Sequence, residues 1–130
     1  MSTTDLTEAI RASAVGAIER RTDGSVRQRY VFDADFPGFA GHFPGRPIFP
    51  AVLQIMTATL LAETATGQRL LSTAIERAKF VLPVVPGALV EIVCRRLPGG
   101  AADLWEVHID ADRQAAASFF LTLRAPAASA

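Results

Sequence analysis

One segment limits the possible folds more than any other. From Ala51 to about Thr66 the chain reads as its one long helix, ended by Gly67, a residue free to take the left-handed backbone of a helix C-terminus. Its apolar residues lie nearly all round the helix instead of along one stripe, so it should be buried by sheet. The flanking sequence is patterned for strands. Ala12–Arg20 and Ser25–Phe32 surround Thr22-Asp23-Gly24 and predict a β-hairpin around an Asp-Gly turn. A strand is expected around Ser72–Phe80. Three more follow at Ala88–Leu97, Leu104–Ala111 and Ala115–Arg124, punctuated by Pro83–Gly87, Pro98-Gly99-Gly100 and Asp112-Arg113-Gln114. A hairpin, one buried helix and a set of antiparallel strands make an α+β domain in which a sheet wraps a single helix. One such sheet offers too little cover for a helix that is apolar on all sides. A dimer with two sheets meeting edge to edge is therefore expected.

The 130 residues fit a single domain, 1–130, with residues 1–10 and 125–130 expected to be flexible and Met1–Thr7 frayed or weakly helical. Thirteen basic and thirteen acidic side chains cancel, which argues against nucleic acid or an anionic membrane surface as a partner. Cys94 is the sole cysteine, so no internal disulfide can form and no cysteine-based metal site is expected. The longest apolar run, Val52–Ala62, is broken by Gln54, Thr57 and Thr59 and is too short to span a bilayer. Met1–Arg11 is polar and lacks the apolar centre of a secretory signal, so a cytoplasmic location is expected.

The chemistry points to the stretch just before the helix. Gly41-His42-Phe43-Pro44-Gly45-Arg46-Pro47-Ile48-Phe49-Pro50 holds one of only two histidines among three prolines and two glycines. Proline fixes φ and glycine relieves steric limits, so such a loop can hold one shape and present an imidazole beside a helix start. The other histidine, His108, falls in a strand and reads as a satisfied strand residue. Cys94 reads as a small buried apolar residue, and Trp105, Phe119 and Phe120 as core or tunnel wall.

Gly41–Gln54 resembles the signature of the hotdog-fold (3R)-hydroxyacyl-acyl-carrier-protein dehydratases. Lys79–Gly87 is similar to the turn those enzymes carry after the helix, and the likeness extends from about Val26 to Leu123. The resemblance implies a hotdog fold, with an antiparallel sheet wrapped around one long central helix in a dimer whose sites lie at the subunit interface. It implies a lyase of fatty-acid or specialised lipid or polyene biosynthesis. The substrate would be a 3-hydroxyacyl thioester carried on the phosphopantetheine of acyl-carrier protein or coenzyme A, with no further cofactor. The family histidine maps onto His42, and the helix-start amide that binds the thioester carbonyl maps onto Ala51. The acidic residue of the facing helix falls at Met56. Phe43, Pro50, Leu53 and Val85 would line the substrate tunnel.

Elimination of water removes a proton from C2 and expels hydroxide from C3. A helix N-terminal amide suits the thioester oxygen as charge develops there, and a near-neutral imidazole can take the C2 proton. Met56 has no proton for the leaving hydroxyl. Glu63 lies two turns further along the helix, ~10 Å away at ~1.5 Å per residue, and is a poor substitute. Gln54, Thr57 and Thr59 could hold a water, and Asp33 and Asp35 precede the loop. The alternatives are a non-catalytic hotdog subunit that binds acyl-carrier protein or completes an active dehydratase as a heterodimer, and, third, a hotdog thioesterase. Arg77 and Lys79 are candidates for steering an acidic carrier protein.

Overall fold

The computed structural model describes residues 3–39, 45, 47–98 and 103–126. In chain order the elements are α1 (Thr3–Ala12), β1 (Ala14–Arg20), β2 (Val26–Val31), a 3-10 turn at Pro37–Phe39, α2 (Ala51–Thr66), β3 (Leu71–Phe80), β4 (Leu89–Arg96), β5 (Leu104–Ala111) and β6 (Gln114–Arg124). The strands form one antiparallel sheet in the order β1-β2-β4-β5-β6-β3. The long α2 packs against it, as expected of a hotdog fold.

Alternation sets which face of the sheet is buried. In β5, Trp105, Val107, Ile109 and Ala111 point into the core, while Glu106, His108 and Asp110 lie on the other face. β4 does the same with Val90, Ile92 and Cys94. The outward face carries ion pairs such as Arg95–Glu106 at 3.0 Å and Arg27–Glu91 at 3.3 Å. His108 sits on this face, its Nε2 3.6 Å from Glu106 Oε2.

The turns are built as their residues require. Gly24 takes φ 86° in the β1–β2 turn, where Asp23 Oδ1 accepts hydrogen bonds from Ser25 N and Oγ at 2.8 and 2.6 Å. Gly16 is left-handed at an irregularity in β1, and the buried Gln28 amide donates to the carbonyls of Val15 and Gly16 that the irregularity leaves over. The β5–β6 turn has two left-handed residues, Asp112 and Arg113, although neither is glycine.

One feature differs from the sequence reading. Where that reading gives a flexible, frayed or weakly helical start, the structure has a ten-residue helix, α1. Asp5 in its first turn and Arg11 in its last complement the helix dipole, and Ile10 is buried in the core with Leu6 and Ala9 against it. For α2, one sheet gives the incomplete cover that the sequence reading expects. Within one chain the sheet covers only the face made by Leu53, Gln54, Thr57, Ala58, Leu61 and Ala62. Val52 remains 66% exposed, and Ile55, Met56 and Leu60 are half-buried. A single twisted sheet touches one side of a helix, so the rest of its apolar surface stays uncovered. The edge strand β3 is exposed along its whole length, including Leu71, Ile75 and Phe80.

Candidate functional site

The entry to α2 is held by an aromatic cluster. Phe49 stacks on Phe32 with centroids 4.1 Å apart; Phe36 packs edge-on or tilted against both, and Phe39 packs edge-on against Phe49. Phe49 N also donates to Val84 O at 2.7 Å, which ties the loop before α2 to the segment after β3. Gly38 lies where a Cβ would run into Leu53 Cδ1 and Phe36 Cε2, so only glycine lets the 3-10 turn approach α2 this closely.

The helix then starts with amides that have no acceptor among the described residues. Pro50 occupies the cap position with φ −65° and ψ 152°, offers no side-chain cap, and no acidic residue follows in the first turn. The amides of Leu53 and Gln54 both donate to Pro50 O, at 3.0 and 3.1 Å. Those of Ala51 and Val52 precede any intrahelical acceptor. They lie at the positive end of a sixteen-residue helix, on exposed residues.

Beside this helix start is a cavity of about 420 Å³, lined by Ile48, Phe49, Pro50, Ala51 and Gln54 on one side and by the segment Phe80–Pro83 on the other. Its size is in the range of small-molecule sites, roughly 300–1,000 Å³. Most of its wall is apolar. Gln54 is the polar side chain in it, and it is only 5% exposed. Its Nε2 donates to Phe49 O at 3.3 Å, whereas its Oε1 finds no donor among the described residues. Phe49 O can only accept, so this orientation of the amide is the one the hydrogen bond demands.

The site residues read from the sequence distribute as follows. Ala51 and Pro50 line the cavity. Leu53 is buried beneath Gly38, and Val85 is 47% exposed just beyond the lining segment. Met56 is half-buried on α2 against the core, away from the cavity wall. His42 and Phe43 lie outside the described residues.

The acid candidates are otherwise engaged. Glu63 Oε2 accepts from Leu70 N at 2.8 Å and its Oε1 is 3.8 Å from Arg11, so it closes the far end of α2. Asp33 accepts from Asp35 N in an exposed turn. Thr57 and Thr59 spend their hydroxyl hydrogens on the carbonyls four residues earlier, at 2.7 and 2.9 Å. Cys94 is buried under α2, its Sγ 3.8 Å from Ala58 O, and burial pushes its thiol up to about 12. The sequence reading did not mark Ile48 or Phe80–Leu82 as cavity wall. Their proximity comes from the Phe49–Val84 bond, which no local pattern announces.

Among the described residues no cluster of histidine, cysteine or carboxylate side chains could hold a metal ion, and no helix is long and apolar enough to cross a membrane.

Comparison with known proteins places this chain in a family. The family described as ApeI-like, ApeI dehydratase, matches residues 18–119. The 3-hydroxyacyl-(acyl-carrier-protein) dehydratase FabZ of Rhizobium rhizogenes is 41% identical over 102 residues, covering 72% of this chain and 64% of the relative. FabZ of Granulibacter bethesdensis is 34% identical over 101 residues, covering 68% and 59%. The chain thus spans less than two thirds of the length of these curated relatives. Among solved structures, the dehydratase heterocomplex ApeI:P from Xenorhabdus doucetiae superposes with a TM-score of 0.71 at 24% identity, over 85% of this chain and 95% of the other. The Escherichia coli PaaI protein gives 0.63 at 13% identity, over 93% and 90%. With a family match over most of its length and the hotdog architecture shared with these structures, the chain belongs to the ApeI-like dehydratase family.

Proposed function

We propose that this chain acts on 3-hydroxyacyl thioesters as a dehydratase-like hotdog protein, or completes a site that does so. The observation that carries this reading is the uncapped start of α2, where free amides meet a largely apolar cavity directly after the loop that bears His42. The Ala51 amide binds the thioester oxygen and stabilises the charge that develops there as C2 loses its proton. His42 takes that proton as general base. The C2 electron pair forms the C2–C3 double bond as hydroxide leaves C3, and a proton delivered to that hydroxide gives water. The acyl chain is presented on phosphopantetheine from acyl-carrier protein or coenzyme A and lies in the cavity beside Pro50.

Met56 cannot supply the last proton. Loss of a general acid typically lowers a rate by about 10²–10⁴-fold, so a water-assisted reaction would be slow but measurable. A second reading gives the acid to a partner. It is favoured by the uncovered surface of α2 and the exposed edge β3, which together suit a second hotdog chain, identical or related. The solved ApeI:P structure is itself a heterocomplex.

The test is hydration of a short trans-2-enoyl thioester by the wild type, His42→Ala and Met56→Glu. Wild-type activity lost in His42→Ala supports a working dehydratase with an unusual proton donor. A silent wild type with activity gained in Met56→Glu supports the partnered reading. Inactivity of all three would overturn the dehydratase reading.

A further inference from the structure

The outward face of the sheet, the one away from α2, carries a groove of about 460 Å³ lined by Val15, Arg29, Leu89, Glu91, Asp110 and Arg113. Val15, Arg29, Glu91 and Asp110 form one row across β1, β2, β4 and β5, each directly opposite the next. Two carboxylates, Glu91 and Asp110, therefore stand side by side, which is repulsive unless cations answer both. Glu91 is answered, since Arg27 and Arg29 each reach it at 3.3 Å. Asp110 has no ion pair or side-chain hydrogen bond among the described residues.

The β5–β6 turn beside it holds an arginine under strain. Its two central residues, Asp112 and Arg113, have φ 48° and 69°, the left-handed form of a two-residue hairpin turn, in which glycine fits best at the second place. Asp112 is compensated: its Oδ1 accepts from Leu89 N and its own N donates to Leu89 O, both at 2.8 Å. Arg113 is exposed, and its guanidinium has no partner among the described residues. A strained arginine that gains nothing within its own chain points to a partner outside it. The groove thus holds one acid and one base unanswered, beside Val15, which is 47% exposed.

We propose that this groove is a contact between two copies of the chain related by a two-fold axis, with Arg113 of each copy paired to Asp110 of the other. A two-fold contact sets residue i against j and j against i, so the two unanswered charges satisfy each other twice. No further molecule is needed. An acidic partner would suit Arg113 but would be repelled by Asp110 and Glu91 in the same groove. Val15 and Leu89 give the contact an apolar centre, and the ion pairs of the surrounding sheet give it a polar rim. The edge strand β3 lies at the other side of the sheet, so strand pairing there is compatible with this contact. The proposal does not depend on the dehydratase reading.

The experiment is sedimentation equilibrium of the full chain over a range of concentrations. Arg113→Glu and Asp110→Arg each set like charges against each other twice, and should weaken the association at least about a hundredfold and halve the mass of the assembly. The double variant Asp110→Arg/Arg113→Glu restores opposite charges and should restore the mass. Arg113→Gly removes the guanidinium and suits the left-handed backbone, so it should halve the mass without disturbing the fold. Reversal of Arg69, exposed and outside the groove, should leave the mass unchanged. Added salt should weaken the wild-type association.

A wild type that is monomeric at every concentration overturns the proposal. So does a mass that neither Arg113→Glu nor Arg113→Gly lowers, which would leave the groove to another occupant such as a small zwitterion. Loss of mass in the single reversals without recovery in the double variant overturns the pairing of Arg113 with Asp110.

Discussion

Replacing Gly38 with alanine tests how the start of α2 is positioned. An added Cβ would fall well inside the roughly 3.5–4.0 Å separation of carbon atoms in contact, against both Leu53 Cδ1 and Phe36 Cε2. Neither neighbour has free space to retreat into: Leu53 is 6% exposed and Phe36 5%. Overpacking of this kind costs about 1–3 kcal/mol. Gly38 does not adopt a left-handed backbone, so alanine also restricts the unfolded chain and returns about 0.4–1 kcal/mol. The net expectation is a loss of about 1–2 kcal/mol, or roughly 3–8 °C in Tm for a domain of this size. Urea unfolding should show a lower midpoint with an unchanged slope. Leu53→Ala alone should cost about 2–5 kcal/mol through the cavity it leaves. In the double variant the new methyl group occupies part of that cavity, so the two losses should fall short of their sum by about 1 kcal/mol or more. A neutral Gly38→Ala, or strict additivity in the cycle, would refute the claim that close contact with Leu53 sets the approach of the turn to α2.

Three further predictions concern the sheet and the core. Arg77 adopts φ 51° at an irregularity in β3, a conformation that costs a non-glycine residue about 1–2 kcal/mol. Arg77→Gly should therefore raise stability by about 0.5–1 kcal/mol, after allowing for the greater freedom of glycine in the unfolded chain, as read from chemical denaturation. The Cys94 thiol should resist a disulfide reagent at pH 8 in the native protein and react fully once the chain is unfolded. Burial holds its proton in the folded state up to about 12, against an ordinary 9.0. Its contribution is thus complete below pH 9.0 and is lost between there and about 12, so stability should fall more steeply over that window in wild type than in Cys94→Ala, where buried Tyr30, whose hydroxyl burial also holds protonated, still contributes.

Much of the architecture was legible because it is periodic or punctuated. Gly67 does end α2 in the left-handed region, with its amide on Glu63 O, and the strand bounds fall within a residue or two of the pattern. The β5–β6 turn could be placed from Asp112-Arg113 but its left-handed backbone could not, since neither residue demands it. The structure of α1 was hidden because its burial depends on what Ile10 meets, and nothing local says that the core reaches that far. The loop chemistry marked His42, and the helix start marked Ala51. Gln54 was legible only as one of several polar residues on an apolar helix. What separates it from Thr57 and Thr59 is side-chain length. The threonines reach their own helix backbone, while glutamine reaches Phe49 O and leaves an oxygen over. That distinction for the threonines follows from local chemistry, but the partner of Gln54 depends on how the preceding loop folds back.

The kink in β3 has a consequence for assembly. A straight, fully exposed edge strand can recruit copy after copy into an open-ended ladder. Here the backbone irregularity between Glu76 and Lys79 interrupts the row of free amides and carbonyls, so an incoming strand finds only short stretches in register. An edge of that kind favours a closed, two-fold pair over a growing fibre. The left-handed backbone at Arg77 that strains the strand thereby also limits its polymerisation, and glycine there would relieve the strain while keeping the interruption.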